Sequence, residues 1–381
     1  MKIRDGFLQR KIADQTYLLP YGQNIADHKR GIKLNESGIL LCDALQKNSN
    51  EEDLVNSIAK HYKADVSDLP FIRDDIQLFE QQLVAYGVLY DAAPSAPTTY
   101  YFKIANLILA VDAPKQLIHP SFFDFSCSAQ SADQMIHLIF EEPATKEIGT
   151  ILICTNEITI CENDNYYLLY YPDSLGLLEC RLTKDGSQAD FYCTSQFSES
   201  LMERIFHAIR FTFLIKAQEN GLFAIHSASL LYQEHVWLFS GSSGTGKSTH
   251  TGLWQKLFET PILNGDLNLI GIEDNQPYVY GIPWCGTSDI YTVSQHPLGG
   301  IVFLRQHPTD EVVSLSEDEK QLFITHRMIS PTWKPDMLDK NLSFAGILSA
   351  SIQVYCLNCT KEDTAAIRIK HQIDQYTNLA E

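Results

Sequence analysis

Hydrophobic positions recur with different periods in successive stretches of the chain, and the changes of period mark out its parts. TYLLP and GIKLN, within residues 16–35, predict two short strands. Asn35 then caps a helix, NESGILLCDALQK, with apolar Ile39, Leu40, Leu41 and Leu45. Asn50 caps a second helix that places Leu54, Val55, Ile58, Ala59 and Tyr62 on one face. A third is predicted from about Asp68 to Tyr86. It carries Ile72, Ile76, Phe79 and Leu83 at helical spacing, with Gly87 as the stop. Two strands followed by three helices suggest a winged helix over residues 1–92. The stretch DAAPSAPTT, Asp91–Thr99, is a linker by composition. Residues 99–197 predict a β-rich region: YYFKIANLILAV, GTILICTNEITI, YYLLYY and GLLECRLT. Residues 198–219 predict an amphipathic helix with Leu201, Ile205, Ile209 and Phe213 inward. Strands and helices alternate from there to the end, which suggests an α/β domain over 198–381.

Composition narrows the function classes. The 381 residues are 45% hydrophobic and 20% charged, enough for real cores in more than one domain. Lys plus Arg number 29 against 47 Asp plus Glu, a formal charge of −18. That balance disfavours nucleic-acid and anionic-membrane partners. The third helix, taken as a DNA-recognition helix, offers Arg73 against Asp74, Asp75 and Glu80, so it would repel phosphates. No apolar run reaches 18 residues, and MKIRDGFLQRKIADQ lacks the apolar core of a signal peptide. Nine scattered cysteines, several in apolar runs, predict free thiols and a cytoplasmic setting. Cys356 and Cys359 have no second pair at metal spacing.

The chemistry is concentrated after residue 220. The strand Val236–Ser240 runs into Gly241-Ser242-Ser243-Gly244-Thr245-Gly246-Lys247-Ser248-Thr249, and a helix follows. This is the strand–loop–helix context of a P-loop. Its glycines let backbone amides turn inward on phosphate oxygens, Lys247 can bridge the β- and γ-phosphates, and Ser248 can place its hydroxyl on Mg²⁺. Asp266, at the end of the strand in PILNGD, could hold Mg²⁺ or take a proton from an attacking hydroxyl, or be a turn residue. His226, within LFAIHSASLL, could be a site residue or a satisfied core histidine. The broken strand YGIPWCGTSDIY, with Gly281, Pro283, Gly286 and Ser288, could be a second anion loop or a surface turn. Arg305 could reach a phosphate or pair at the surface.

Taken together, the His226 strand, GSSGTGKST, the acid of LNGD and the GIPWCGTS loop resemble HPr kinases and their PEP-carboxykinase-like P-loop relatives, over about residues 205–370. The resemblance implies ATP and Mg²⁺ as cofactors, transfer of phosphate to a serine hydroxyl, His226 and Asp266 as catalytic residues with Lys247, and Ser248 and Asp266 as metal ligands. It also implies homo-oligomers. HPr kinases carry two adjacent acids where this chain has Gly265-Asp266, which weakens the expectation of a reverse, phosphorylase reaction. The YLLP strand, GIKLNESG, the EEDLV…HY helix and the LFEQQLVAYGVL helix are similar to the PqqD-like recognition element of peptide-modification pathways. That implies binding of a precursor-peptide leader at Gly31, Ile32, Lys33, Leu34 and Asn35, as an added strand. The expectation is a multidomain α/β kinase of a ribosomal-peptide pathway. Its alternatives are an HPr-type protein or small-molecule kinase with a regulatory N-terminal domain, and a nucleotide-binding protein without catalysis.

Overall fold

A computed structural model describes residues 2–380, apart from 4–5, 23–24, 26–29, 47–50, 87, 91–96, 142, 144, 146, 172–175 and 194–197. The Asn50 cap, the Gly87 stop and most of the linker lie outside the described residues. The chain is a mixed α/β protein, with four sheets among the described residues. It divides into two compact units. The first comprises residues 1–97, 114–117 and 195–203, the second the remainder from 98 onward.

The first unit contains β1 (Lys2–Ile3), β2 (Phe7–Ile12), β3 (Gln15–Pro20), β4 (Ile32–Leu34), α1 (Glu36–Gln46), α2 (Glu51–Tyr62), α3 (Leu69–Ala85) and β5 (Leu89–Tyr90). The three helices and the two expected strands fall where the periodicity puts them. β2 is additional: in FLQRKI the charged and amide side chains mask the strand pattern. Strands β2-β3-β4 form an antiparallel sheet, and β1 pairs with β5. Leu18, Leu34, Leu41, Leu45, Leu54, Ile76 and Leu83 make one buried cluster, so each helix contributes its apolar stripe.

The second unit opens with an eight-stranded sheet of β6 (Thr98–Ile104), β7 (Leu107–Ala113), β8 (Gln134–Ile139), β9 (Thr150–Cys154), β10 (Thr159–Glu162), β11 (Tyr166–Tyr170), β12 (Leu177–Thr183) and β13 (Gln188–Cys193). YYFKIANLILAV is a hairpin, β6 and β7, because Ala105 adopts φ 54° between them.

After α4 (Glu199–Glu219) come β14 (Phe223–Tyr232), β15 (His235–Ser240), α5 (Lys247–Phe258), β16 (Ile262–Asn264), β17 (Leu267–Glu273), β18 (Gln276–Tyr280), β19 (Gln295–Gln306), β20 (Glu311–Val313), α6 (Glu317–Thr325), α7 (Pro335–Ser351), β21 (Gln353–Cys359) and α8 (Asp363–Ala380). β15, β19 and β21 are neighbours and run parallel, so their carboxyl ends share one edge. The sheet is covered on both faces. Val236 and Leu238 of β15 pack into a cluster with Ile324 of α6 and Phe344 and Leu348 of α7. Trp237 and Phe239 pack into another with Trp254 of α5 and Ala366 and Ile369 of α8. A strand buried on both faces needs a continuous apolar run, and VWLF supplies it.

Candidate active site

The loop after β15 turns into α5 at Gly246, whose φ of 103° is open to glycine and costly for other residues. Thr245 Oγ1 donates to the Ser242 carbonyl (2.7 Å), and Gln306 Nε2 to the Gly244 carbonyl (2.9 Å), so the loop is fastened from within and from β19. The N-cap residue, Gly246, has no side chain with which to cap α5. Its first amides and its positive dipole end therefore stand open toward a ligand, as a phosphate site requires. Lys247 Nζ lies 3.5 Å from the Gly241 carbonyl, and Ser242, Ser243, Gly244, Ser248 and Thr249 are exposed around it.

Asp266 is set beside this loop by Asn264. The buried Asn264 accepts from the Asp266 and Leu267 amides (2.9 and 3.0 Å) and donates to the Trp284 carbonyl (3.1 Å). NGD is thus an Asx turn that also fixes the next loop. His226 lies on β14, opposite Leu267, and its Nε2 is 3.0 Å from Asp266 Oδ1. Ser240 Oγ donates to the His226 carbonyl (2.7 Å), tying this strand to the P-loop strand. The His226 hydrogen bond holds the Asp266 carboxyl below the usual carboxylate range; burial opposes it, and Arg210 and Lys247 add to the lowering. Lys247 has its pKa lowered, chiefly by burial; Asp266 opposes that shift and Arg327 reinforces it. The structure therefore brings His226, Asp266, Lys247 and the loop into one site.

Two cations in this site escape sequence reasoning. Arg327 Nη2 reaches Ser242 Oγ at 2.9 Å, and the Arg327 carbonyl accepts from the His226 amide at 2.8 Å. Nothing in THRMIS signals this, since the contact comes from tertiary closure. Arg210, on α4, acts electrostatically on Asp266 from a half-buried position, and burial lowers its own pKa. Its place between the inward Ile209 and Phe213 was the available clue. Lys247 and Arg327 are like charges near each other, an arrangement that favours an anion between them.

The glycine at 265 has a steric cause. A Cβ there would lie 2.2 Å from Ser288 Oγ, which itself donates to the Cys285 carbonyl at 2.7 Å. A second acid at this position has no room. The GIPWCGTS loop is no surface turn: Ile282, Trp284 and Cys285 are buried, Trp284 Nε1 donates to the Phe206 carbonyl (3.0 Å), and Gly286 packs against Asp266. Arg305 lies over the Phe323 ring, 5.1 Å from its centroid. Among the described residues, no three His, Cys, Asp or Glu side chains form a metal cluster. One carboxylate and one hydroxyl, Asp266 and Ser248, suit Mg²⁺ arriving with a nucleotide, because that ion keeps waters and phosphate oxygens as its other ligands. All nine cysteines are free, and no described helix is long and apolar enough to cross a membrane.

In the first unit, β4 pairs with β3 and is the last strand of its sheet. Lys33 is exposed, Ile32 half-buried and Leu34 buried, while Asn35 Oδ1 caps α1 through the Gly38 amide (2.8 Å). A cavity of about 450 Å³ adjoins this cap, lined by α1, α2 and α3 residues that include Asn35, Leu41, Ile72, Leu78 and Phe79.

No family model and no curated protein matches the chain. Among solved structures, the chain is similar to the Hpr(Ser) kinase/phosphatase from Coxiella burnetii, with 11% identity and a TM-score of 0.25, over 41% of this chain and 96% of that one.

Proposed function

We propose that the second unit is a P-loop phosphotransferase that moves the γ-phosphoryl group of ATP to a Ser or Thr hydroxyl of a peptide, and that the first unit holds that peptide's leader. The observation that carries the reading is the 3.0 Å Asp266–His226 pair, within electrostatic reach of the P-loop lysine. Loop amides and the α5 dipole bind the phosphates, and Lys247 faces the β- and γ-phosphates. Asp266, oriented by His226, accepts the proton of the attacking hydroxyl. The hydroxyl oxygen bonds to the γ-phosphorus, and the bond from phosphorus to the ADP oxygen breaks. Lys247 and Arg327 stabilise the charge that develops on the transferring group. Mg²⁺, when bound, offsets phosphate charge; Ser248 and Asp266 are the side chains that would hold it.

The leader assignment rests on an edge strand beside a partly apolar cavity. An extended peptide can add to β4 along Gly31–Asn35 while its side chains enter the cavity. The test is to incubate the full chain, ATP·Mg²⁺ and candidate precursor peptides encoded near its gene, and weigh the products. A peptide heavier by one phosphate, on Ser or Thr and dependent on its leader, supports the reading. ATP turnover with no peptide modified under any of these conditions would remove the peptide as acceptor.

A further inference from the structure

Two amide side chains of the second unit interrupt otherwise apolar helix faces. Asn341 is fully buried on α7, on the face that also buries Met337, Phe344, Ala345 and Leu348. Gln218, near the end of α4, is 3% exposed, and so is Ser330, between α6 and α7. We propose that these three residues are a positioning unit for Arg327. They fix the register of the segment that carries it and so place its guanidinium at the P-loop. Being buried, they act on phosphoryl transfer through Arg327 alone. This rests on the transfer reading above.

Residues 327–334 form no helix and no strand; Met328 makes a single antiparallel bridge to Ile225 of β14. The His226 amide donates to the Arg327 carbonyl (2.8 Å) and the Ile329 amide to the Ala224 carbonyl (2.9 Å). Side chains take over from there. The amide of buried Ala224 donates to Ser330 Oγ (2.8 Å), and Asn341 Nδ2 donates to the Ser330 carbonyl (3.1 Å). Gln218 Nε2 lies 2.8 Å from Asn341 Oδ1 and 2.9 Å from the Pro331 carbonyl. These groups are buried, so any other register would leave some of them unpaired, at a cost. Apolar side chains at 218 and 341 would fill the space without burying amides; what the amides add is one permitted position for the backbone at 330–331. Arg327 depends on that position. Along one side of β14, Ser227 faces Ser240, the last residue of the P-loop strand, and Ile225 faces Met328. The segment thus continues the line of the P-loop strand, and Arg327 Nη2 meets Ser242 Oγ at 2.9 Å. A slip of one residue would move it by about 3.4 Å. A misplacement of about 1 Å is enough to cost about 10²-fold in rate.

The test is single-turnover transfer of label from γ-labelled ATP to an array of Ser- and Thr-containing peptides, using the full chain. Asn341→Leu, Ser330→Ala and Arg327→Ala are compared with wild type, and each of the first two is also combined with Arg327→Ala. Asn341→Leu and Ser330→Ala should each slow transfer at saturating ATP about tenfold or more, with the half-saturating ATP concentration changed less than about twofold. In the Arg327→Ala background neither should slow it further. Thermal melts supply the contrast: any loss of melting temperature should be the same with and without Arg327, since packing does not pass through the guanidinium. Ser330→Ala removes a single oxygen from the network, so its result stands even if Asn341→Leu misfolds. Wild-type rates in a folded variant, or equal slowing with and without Arg327, overturn the positioning unit and leave the transfer reading intact. If wild type binds ATP and labels no peptide, that reading falls and takes the unit with it.

Discussion

Lys247 is held in a half-buried position with Arg327 as a neighbouring like charge, so its energetic value is realised when an anion arrives. Lys247→Ala should therefore abolish phosphoryl transfer in a folded protein, at a cost of about 3–4 kcal/mol of transition-state stabilisation by analogy with single electrostatic donors. A thermal melt and a turnover assay on the same preparation check both halves. Arg327→Lys keeps charge but loses the fork, and should lower kcat with little change in the melting temperature. Asp266→Asn should cost roughly 10²–10⁴-fold in kcat, the range for a general base. The 3.0 Å contact makes His226 its partner, so His226→Ala is expected to lose activity less, and the double variant no more than Asp266→Asn alone. The sign of the pH effect follows from the depressed Asp266 pKa. Its stabilisation is fully present above the unfolded value of about 4 and is lost as pH falls through the lower folded value. Denaturant unfolding at about pH 5 should show a stability gap between wild type and Asp266→Asn. Below about pH 4 wild type should lose ground to the variant.

At the scale of elements, the turn at Gly265 and the loop at Ser288 are fitted to each other. Gly265→Ala should destabilise by about 1–3 kcal/mol through overpacking, and adding Ser288→Gly should recover most of it. Chemical denaturation of the two variants measures the recovery. The elements differ in how plainly the sequence announces them. α1 to α3 carry helical spacing, and β15, the glycine loop and α5 are contiguous, so both groups are legible locally. β8 and β13 are not: QMIHLI and QADFYC are short, and their parallel pairing is a long-range fact. The site divides the same way. Lys247 stands in a motif, Asp266 at a strand end and His226 inside an apolar strand, whereas Arg327 gains its meaning only when its carbonyl meets β14 and its guanidinium meets the loop.

For the whole molecule, the leader reading separates binding from chemistry. Leader contacts in the first unit involve no reacting atom and are equally strong in ground and transition states, so they should act on KM alone. Leu78 is exposed and lines the cavity beside the α1 cap, so Leu78→Asp should not unfold the chain. It should raise KM for a leader-bearing peptide about tenfold, leave kcat alone, and have no effect on a leaderless one. A fall in kcat at saturating peptide would instead tie the first unit to catalysis. The central claim is phosphoryl transfer from the P-loop site with Asp266 as proton acceptor. The most direct measurement is single-turnover transfer of label from γ-labelled ATP to an array of Ser- and Thr-containing peptides, run with wild type, Lys247→Ala and Asp266→Asn. The account predicts label on hydroxyl-bearing peptides with wild type and none above background with either variant. Undiminished label with Asp266→Asn, or no label from a wild-type protein that binds ATP, would contradict it.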